Sequence, residues 1–492
     1  LNKYRQTFQF ILVDEYQDTN FAQYMIVKKL SETHGRICVV GDDAQSIYSF
    51  RGANIDNILQ FKNGYNNTKT FKLEQNYRST QTIVNAANSL IEKNKQQIRK
   101  TIFSNKETGS PIKLIKAFTD IDEGVQVARE VERLVRTGEY TYDQIAILYR
   151  TNSQSRLQED ALRKAGIPYR IYGGLSFYQR KEIKDVIAYG RLICNQNDEE
   201  ALKRIINVPA RGIGETTVNK VLGTARTQAV SAWDVLNNML SYNLPVNAGT
   251  ATKLGAFRTL IENFKTWATT LDAYELLLQI IKTTGLISET YQDNTVENIS
   301  RRENIEELLK AVHEFCDQRK DAQESALLSD FLSEVSLLTD QDTNKNSESN
   351  KITLMTIHAA KGLEFGAVFI VGVEEDLFPS SYSLDSERSL EEERRLFYVA
   401  VTRAEKLCYI SHASSRFRNG QSNFSNPSRF IRDIDPQYLD MPDESSLQPR
   451  KSRFSNWNED LDTERSKFNI QNKNPETENR PTYSKPKRLA KI

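Results

Sequence analysis

Two short apolar runs near the start of the chain predict buried, parallel β-strands. Residues 8–13 (FQFILV) and residues 36–40 (RICVV) are mostly apolar, and each run ends in an acidic turn. Residues 21–30 lie between them and carry apolar side chains at helical spacing. A strand, a helix and a second strand at this interval predict a parallel α/β unit. The functional side chains of such units gather where the strands end.

The rest of the chain predicts a second α/β region that a helical insertion interrupts. A helix is predicted at residues 125–136, and residues 176 to about 338 have almost wholly helical periodicity. The strands predicted on either side of that insertion are residues 111–117, 144–149, 351–357 and 367–371. The simplest arrangement is an α-helical domain inserted into the second α/β domain.

Composition is typical of a globular protein with some unstructured length. The 492 residues are 38% hydrophobic and 27% charged, and this length favours about three domains. No apolar run approaches the roughly 20 residues that a membrane span needs. Four scattered cysteines without a CxxC pair indicate reduced thiols and a cytoplasmic location. Beyond residue 435, a Ser-, Asn-, Pro-, Lys- and Glu-rich composition predicts a disordered tail.

An acidic pair, Asp14 and Glu15, directly follows the first predicted strand. Such a pair suits a nucleoside triphosphatase, in which the first carboxylate holds Mg²⁺ through water and the second orients and deprotonates the attacking water. The same residues would also serve as an acidic turn before the helix that follows Asn20, because carboxylates favour helix N-termini. The pair alone does not decide between these interpretations.

The segment after the second strand carries a local candidate for nucleic-acid binding. The 66 Lys and Arg residues nearly balance 65 acidic ones, giving a formal charge of +1, so any nucleic-acid surface must be local. Tyr48, Phe50 and Arg51 alternate aromatic and cationic groups, the combination that binds single strands by stacking. Gln45 precedes them, and its amide is a candidate sensor of a γ-phosphate.

Five segments together resemble motifs of the UvrD/PcrA/Rep branch of superfamily 1 helicases, in the order of that family. They are DEYQDTN (14–20), VGDDAQSIYSFRGA (40–53), LEQNYRST (73–80), TIHAAKGLEF (356–365) and EEERRLFYVAVTRAE (391–405). One departure is Phe50, where the family usually has Trp. The resemblance implies two RecA-like parallel-sheet motor domains, the first incomplete, with an inserted α-helical domain and a disordered C-terminal tail. The implied domains are residues 1–76, 77–175, 176–348, 349–435 and 436–492.

The resemblance also assigns residues to an ATP and Mg²⁺ site. It implies that Tyr77 stacks on adenine, that Arg78 reaches the γ-phosphate and that Glu364 approaches the ribose. Arg403 matches the arginine finger of the family, and His358 and Lys361 lie where nucleotide and DNA are coupled. Taken singly, each has a plainer explanation. Tyr77 would serve as a core aromatic, Arg78 as a surface cation, His358 as a buried histidine and Arg403 as a helix cap. Five motifs in order favour the helicase interpretation.

A glycine-rich turn in the helical insertion is a candidate for contact with duplex DNA. Gly212 and Gly214 flank Ile213 just before a predicted helix, and such a turn presents backbone N–H groups to a phosphate. An ordinary turn between helices is as good an explanation on the local residues, although the family uses a similar turn at the duplex. Residues 169–178 mark the hinge into the insertion in relatives, and residues 149–152 and His358 are weaker candidates for single-strand contact.

One element of the family is absent from the sequence. No segment has the G-x-x-x-x-G-K-[ST] spacing that cradles phosphates. Together with the Leu1 start, this leads us to expect a fragment of an ATP-dependent 3′–5′ DNA helicase of repair or replication. The expected partners are ATP, single-stranded DNA and duplex DNA at a fork, with repair proteins or RNA polymerase as further candidates and no membrane. The alternatives are a RecB/AddA-type helicase-nuclease subunit and a non-hydrolysing DNA-binding protein.

Overall fold

The computed structural model describes residues 1–65, 67–293, 295–343, 350–418 and 421–441. Residues 1–65, here called the first lobe, form a small parallel α/β unit. Its elements are α1 (Asn2–Thr7), β1 (Ile11–Val13), α2 (Phe21–Ser31), β2 (Ile37–Val39) and α3 (Asp56–Leu59). Strands β1 and β2 pair in parallel, with Leu12 opposite Cys38. The predicted strand, helix and strand are confirmed, although the first strand is shorter than expected and helix α1 was not predicted.

The prediction that the first strand is buried is wrong for one of its faces. Val13 and Val39 pack with Tyr24 of α2 in a small apolar cluster. Leu12 points to the opposite face and is 75% exposed. Side chains alternate across a strand, so a two-stranded sheet with helices on one face leaves the other face open.

The second α/β unit, here called the second lobe, begins after the first and is interrupted after its fifth strand. Its first part contains β3 (Gln75–Asn76), α4 (Gln81–Ile91), β4 (Phe103–Ser104), β5 (Ile112–Thr119), α5 (Asp120–Arg136), β6 (Ile145–Tyr149), α6 (Ser155–Lys164) and β7 (Tyr169–Ile171). The predicted strands at 111–117 and 144–149 and the helix at 125–136 are thus present, each with slightly different ends.

In the described residues between β7 and residue 343, eight α-helices make up the insertion. They are α7 (Lys181–Cys194), α8 (Glu199–Ile205), α9 (Glu215–Gln228), α10 (Ala232–Asn237), α11 (Ala248–Trp267), α12 (Ala273–Thr284), α13 (Val296–Asp321) and α14 (Leu328–Thr343). They share an apolar core that includes Trp233, Phe257 and Phe264. Buried ion pairs hold α13 against the second lobe, including Lys310 with Asp120.

The chain then returns to the second lobe and completes its sheet. The remaining elements are β8 (Ile352–Thr356), α15 (Ile357–Ala360), β9 (Phe365–Ile370), α16 (Glu387–Val401), β10 (Ala404–Arg418), β11 (Gln421–Phe424), α17 (Arg429–Asp433) and β12 (Leu439–Asp440). The strand order is β12-β5-β10-β9-β6-β8-β7, with β11 on β10. Every neighbouring pair along this order is parallel, and only β11 runs antiparallel to its partner. This large parallel sheet with many helices is the mixed α/β architecture expected from the sequence.

The path of the chain through this sheet explains how an insertion is accommodated. The chain leaves the sheet after β7 and comes back as β8, and these two strands are hydrogen-bonded neighbours. The helices between them therefore interrupt the sequence without interrupting the sheet. The exact limits of the predicted domains stay predictions.

Strand β10 is the main element that the sequence pattern did not predict. It has 15 residues and lies between β5 and β9. Its sequence includes Arg416, which is buried and bonded to Glu123 and Glu374. A charged residue normally argues against a buried strand, and only its partners from distant segments make this burial tolerable.

The predicted start of the disordered tail needs a correction. Residues 436–441 are part of the fold, because Leu439 of β12 pairs with Ile112 at the edge of the sheet. Residues 442–492, the rest of the predicted tail, lie outside the described residues. Among the residues described, no helix is both long and apolar enough to cross a membrane.

Candidate nucleotide and nucleic-acid site

The predicted acidic pair lies at the carboxyl end of β1 and is open to solvent. Glu15 has φ of 48°, a left-handed conformation, and its N–H donates to Asp14 Oδ1 at 2.9 Å. Gln17, which sequence reasoning did not single out, is buried beside it. Its Nε2 donates to Glu15 Oε2 at 2.6 Å, and its Oε1 accepts the N–H of Asp42 at 3.0 Å. One buried amide thus ties together the ends of both strands in the first lobe.

Gly41 keeps these two strand ends close. A Cβ at this position would lie 2.4 Å from Gln17 Oε1 and 2.8 Å from Ile58 Cδ1. Any larger residue would therefore push Gln17 away from Asp42 and Glu15. The glycine in the sequence GDD was a signal for this close approach.

Gln45 lies in the short helical turn that follows Asp42, among side chains that come from both lobes. Its Nε2 donates to Asp42 Oδ2 at 2.8 Å. Lys100 of the second lobe ion-pairs with Asp42 and with Asp43, the latter at 2.7 Å. Lys100 was not predicted from sequence, because nothing local marks a lysine that meets carboxylates almost sixty residues away.

Lys361 of the second lobe contacts Glu15 of the acidic pair. Its Nζ lies 3.4 Å from Glu15 Oε2, donates to the backbone oxygen of Gln45 at 2.9 Å and ion-pairs with Asp18. Burial raises the pKa of Asp18, and the Lys361 ammonium opposes that effect. The structure therefore brings Glu15, Gln45 and Lys361 together, although they come from three distant segments.

A cavity of about 460 Å³ in the second lobe contains three of the predicted nucleotide-binding residues. It is lined by Gln75, Asn76, Tyr77, Arg78, Lys106, Glu364 and Glu405. Arg78 Nε bonds to Glu364 Oε2 at 2.6 Å, and this contact lowers the pKa of Glu364. Tyr77 is 75% exposed, so it is not the core aromatic of the plainer explanation. An exposed ring at the rim of a polar cavity is available for stacking on a base.

Arg403 does not line that cavity in this conformation. Its side chain is 2% exposed. Its three nitrogens donate to the backbone oxygens of Val399 and Leu363, at 3.0 and 3.1 Å, and to Thr402 Oγ1 at 3.1 Å. Burial, and then the positive charge of Arg78, lower the pKa of Arg403 to about 10. An anion beside Arg403 and Arg78 would offset the charge of these neighbouring cations.

The acidic pair has the donor chemistry of a Mg²⁺ site. Mg²⁺ prefers carboxylate oxygens and keeps several waters, so one or two carboxylates plus phosphate oxygens suffice. Asp14 and Glu15 are exposed carboxylates at one strand end. Within the described ranges, no set of three or more His, Cys, Asp or Glu side chains could hold a metal by itself. The two carboxylates fit a Mg²⁺ ion that shares its coordination with water and phosphate.

The four residues predicted to contact single-stranded DNA form one cluster, here called the aromatic cluster. Phe50 lies edge-on to His358 with ring centroids 5.3 Å apart, and Tyr48 is 6.0 Å from Phe50. The guanidinium of Arg51 lies 5.5 Å from both aromatic rings. Burial, followed by the charges of Arg150 and Arg51, lowers the pKa of His358 to about 3. The cluster combines residues of both lobes and carries its positive charge on arginine.

Two of the weaker single-strand candidates, Tyr149 and Arg150, have partners inside the second lobe. Tyr149 is buried in the core of the second lobe. Arg150 directs its guanidinium to both carboxylate oxygens of Glu393, with distances of 2.7–3.1 Å. The positive charge of Arg150 contributes to the lowered pKa of His358. The apolar strand pattern at 144–149 was the signal that Tyr149 faces the core.

The glycine turn of the insertion is held in shape by residues that sequence reasoning missed. Gly212 has φ of +67°, and Gly214 precedes the first residue of α9. Asn207 Oδ1 accepts the N–H groups of Arg211 at 2.7 Å and Ile213 at 3.1 Å. Lys253 Nζ donates to the backbone oxygen of Gly212 at 3.3 Å. These hydrogen bonds hold the backbone of the turn, and Lys253 lies next to it.

Comparison with known proteins identifies the family of the chain. The model of the UvrD-like helicase C-terminal domain matches residues 71–415, and that of the UvrD/REP helicase N-terminal domain matches residues 1–66. The chain therefore belongs to the UvrD-like helicase family. Among solved structures, the C-terminal domain of a possible DNA helicase from a Lactobacillus shares 17% identity with a TM-score of 0.15, too little to support an argument.

The curated relatives that match this chain share one description. A protein of Bacillus subtilis strain 168 described as ATP-dependent DNA helicase PcrA is 41% identical over 466 residues, which cover 92% of this chain and 63% of that protein. The protein of the same description from Staphylococcus aureus strain Mu50 is 41% identical over 460 residues, covering 92% and 62%. That of Staphylococcus epidermidis is 42% identical over 442 residues, covering 89% and 60%. The chain spans less than two thirds of the length of these relatives.

Proposed function

We propose that this chain forms the greater part of the motor of an ATP-dependent DNA helicase. One observation carries the proposal. The turn that contains His358 and Lys361 lies against both candidate sites. His358 packs against Phe50, while Lys361 lies 3.4 Å from Glu15. A movement of Glu15 would therefore be passed to the aromatic cluster through residues 358–361. Coupling of hydrolysis to translocation requires such a connection.

In this proposal each residue has a role that follows from its position. Asp14 holds Mg²⁺ through water, and Glu15 orients and deprotonates the attacking water. Tyr77 stacks on the adenine, and Glu364 approaches the ribose. When bound with Mg²⁺, ATP would supply the phosphoryl group, whose negative charge the surrounding residues would stabilise.

The cationic residues and Gln45 surround the expected position of the phosphates. Arg78 leaves Glu364 to reach the γ-phosphate, and Gln45 senses it from the first lobe. Arg403 turns from its backbone acceptors to act as the arginine finger, a role worth orders of magnitude in rate. Burial is the main cause of the lowered pKa of Arg403 and the charge of Arg78 adds to it, so an anion nearby would relieve the second of these effects.

DNA contacts follow from the same geometry. Tyr48, Phe50, Arg51 and His358 bind single-stranded DNA by stacking and charge, without reading sequence. Gly212 and Gly214 contact the duplex ahead of the fork through backbone N–H groups. The 3′–5′ direction, a role in repair or replication, and repair proteins or RNA polymerase as partners rest on the resemblance to the family, and a cytoplasmic location rests on the four cysteines without a CxxC pair.

Strand separation by a polypeptide with a complete phosphate site tests this function. The 492-residue sequence has no G-x-x-x-x-G-K-[ST] segment, so the chain alone should bind single-stranded DNA and hydrolyse ATP poorly. Joined to the phosphate-loop segment of a curated relative, it should show DNA-stimulated hydrolysis and unwinding. Glu15→Gln in that polypeptide should lower both about 10²- to 10⁴-fold, whereas Glu32→Gln, at an exposed glutamate of the same lobe, should not.

Two outcomes would count against the proposal. Unwinding at the normal rate with Glu15→Gln would exclude the role given to that carboxylate. DNA binding without any hydrolysis, even with a phosphate loop supplied, would favour a non-hydrolysing DNA-binding protein.

A further inference from the structure

One face of helix α16 lies against the segment of the first lobe that carries the aromatic cluster. Arg388, Glu392 and Arg395 are spaced by four and three residues, so they share one side of the helix. Arg388 Nη2 donates to Asp56 Oδ2 at 3.0 Å, and Arg395 Nε donates to the backbone oxygen of Ser46 at 2.9 Å. These two contacts hold residues 46–56 against helix α16 at both ends of that segment.

Glu392 holds the middle of the segment. Its Oε1 accepts the backbone N–H of Ser49 at 3.0 Å. The turn that starts there is closed by its own hydrogen bonds, from Arg51 N–H to the oxygen of Tyr48 at 2.9 Å and from Gly52 N–H to the oxygen of Ser49 at 2.8 Å. Local bonds therefore fix the shape of the turn, and Glu392 fixes its position on helix α16 through a charge-assisted hydrogen bond.

The two aromatic residues of the cluster depend on this bond to different degrees. Tyr48 is anchored by its own hydroxyl, which donates to the backbone oxygen of His358 at 3.2 Å. Phe50 has no polar atom in its side chain, so the direction of its ring is set by the turn and by packing. Phe50 is also exposed, as a stacking surface must be.

Helix α16 also reaches the candidate nucleotide site at its other end. The backbone oxygen of Thr402, the residue after the helix, accepts a hydrogen bond from Arg78 Nη1 at 3.3 Å. The same helix therefore contacts the turn of Phe50 near its start and the cavity arginine just past its end.

We propose that Glu392 is a positioning residue for single-stranded DNA, which holds the turn of Phe50 and Arg51 in the orientation that stacks on the bases. This inference rests on the proposed function, since it requires that the aromatic cluster binds DNA. Glu392 itself does not touch the strand. Its effect passes through the backbone of Ser49.

Binding of oligo(dT) by the 492-residue chain tests this, with Phe50→Trp as a fluorescent reporter of stacking. In that background, Glu392→Ala should weaken binding about three- to tenfold, because only part of the free energy of this charge-assisted hydrogen bond is transmitted to DNA binding. It should also reduce the quenching of the introduced indole at saturating DNA. Glu392→Gln keeps an oxygen acceptor and should recover most of both signals. Glu392→Met keeps the length without that acceptor and should behave like Glu392→Ala.

Glu387→Ala is the matched control. Glu387 lies on the same helix, is exposed and pairs with the exposed Lys95, away from the turn. This variant should bind and quench like the parent. Thermal unfolding measured on every variant separates positioning from folding, because Glu392→Gln and Glu392→Met differ in the acceptor oxygen and hardly in size.

The possible results separate this inference from the proposed function. If Phe50→Ala loses binding while Glu392→Ala and Glu392→Met bind and quench normally, positioning by Glu392 is wrong and the DNA-binding role of the cluster stands. Equal losses in Glu392→Gln and Glu392→Met would also overturn it, because the acceptor oxygen would then not matter. If the unaltered chain does not bind oligo(dT), both proposals fail.

Discussion

The Nζ atom of Lys361 lies 3.4 Å from a carboxylate oxygen of Glu15, and the two residues belong to different lobes. The same ammonium also pairs with Asp18, whose other carboxylate oxygen is buried without a hydrogen-bond partner. The positive charge of Lys361 thus offsets the cost of burying the Asp18 carboxylate. Lys361 also holds Glu15, the candidate catalytic residue, at the junction of the two lobes.

Lys361→Ala should lower the free energy of unfolding by about 1–3 kcal/mol, because it leaves Asp18 partly buried without its cation. Urea denaturation measures this loss. Adding Asp18→Asn should recover part of it, since the uncompensated charge is then gone. Lys95→Ala, at an exposed lysine paired with Glu387, should leave stability nearly unchanged. Equal losses of stability in Lys361→Ala and Lys95→Ala would show that the contact between Lys361 and Asp18 does not stabilise the fold.

Phe50→Ala should weaken binding of oligo(dT) by about 1–3 kcal/mol, the usual value of one base stacked on an aromatic ring. Phe50→Trp should bind at least as tightly as the parent, because the indole has a larger face. Fluorescence anisotropy of a labelled oligonucleotide measures both. Phe424 is 94% exposed on strand β11, far from the cluster in the sequence, and Phe424→Ala is the control. Unchanged affinity in Phe50→Ala would exclude this ring from the DNA site.

His358 should make the protein less stable in acid. Its pKa in the folded protein is about 3, against roughly 6.5 in the unfolded chain. Between these values the unfolded chain binds a proton that the folded chain does not, so stability is fully present above pH 6.5 and falls as the pH decreases. From pH 7.5 to 5.0 the parent should lose about 1–2 kcal/mol more than His358→Gln, measured by urea denaturation. Identical losses would mean that His358 titrates normally in the fold.

The two glycines of the insertion should respond differently to alanine. Gly212 has φ of +67°, so Gly212→Ala should cost about 1–2 kcal/mol of stability. A Cβ on Gly214 would meet nothing within 4 Å, and Gly214 has φ of −76°, so Gly214→Ala should leave stability unchanged. If the turn approaches a phosphate closely, Gly214→Ala should still weaken duplex binding in an electrophoretic mobility assay, with oligo(dT) binding unaffected. Normal duplex binding by Gly214→Ala would remove that residue from the proposed interface.

The sequence by itself determined the α/β class, the helical insertion and the family, because these are carried by local patterns. Apolar runs mark β6 and β9, helical spacing marks α7 to α14, and each motif is a short contiguous segment. Candidate residues such as Glu15, Gln45 and Arg403 lie inside those segments, so they could be named before any contact was known.

Tertiary structure alone decided how those residues are partnered. Lys100 meets Asp43, Glu392 meets Ser49 and Arg150 meets Glu393 across long stretches of sequence, and no local pattern encodes such pairs. Strand β10 was missed for the same reason, since the partners that allow Arg416 to be buried come from elsewhere in the chain. The burial of Arg403 and the exposure of Tyr77 likewise depend on what packs around them. Local sequence sets which chemistry is present, and the packing of distant segments sets which groups are paired, desolvated or left free to bind.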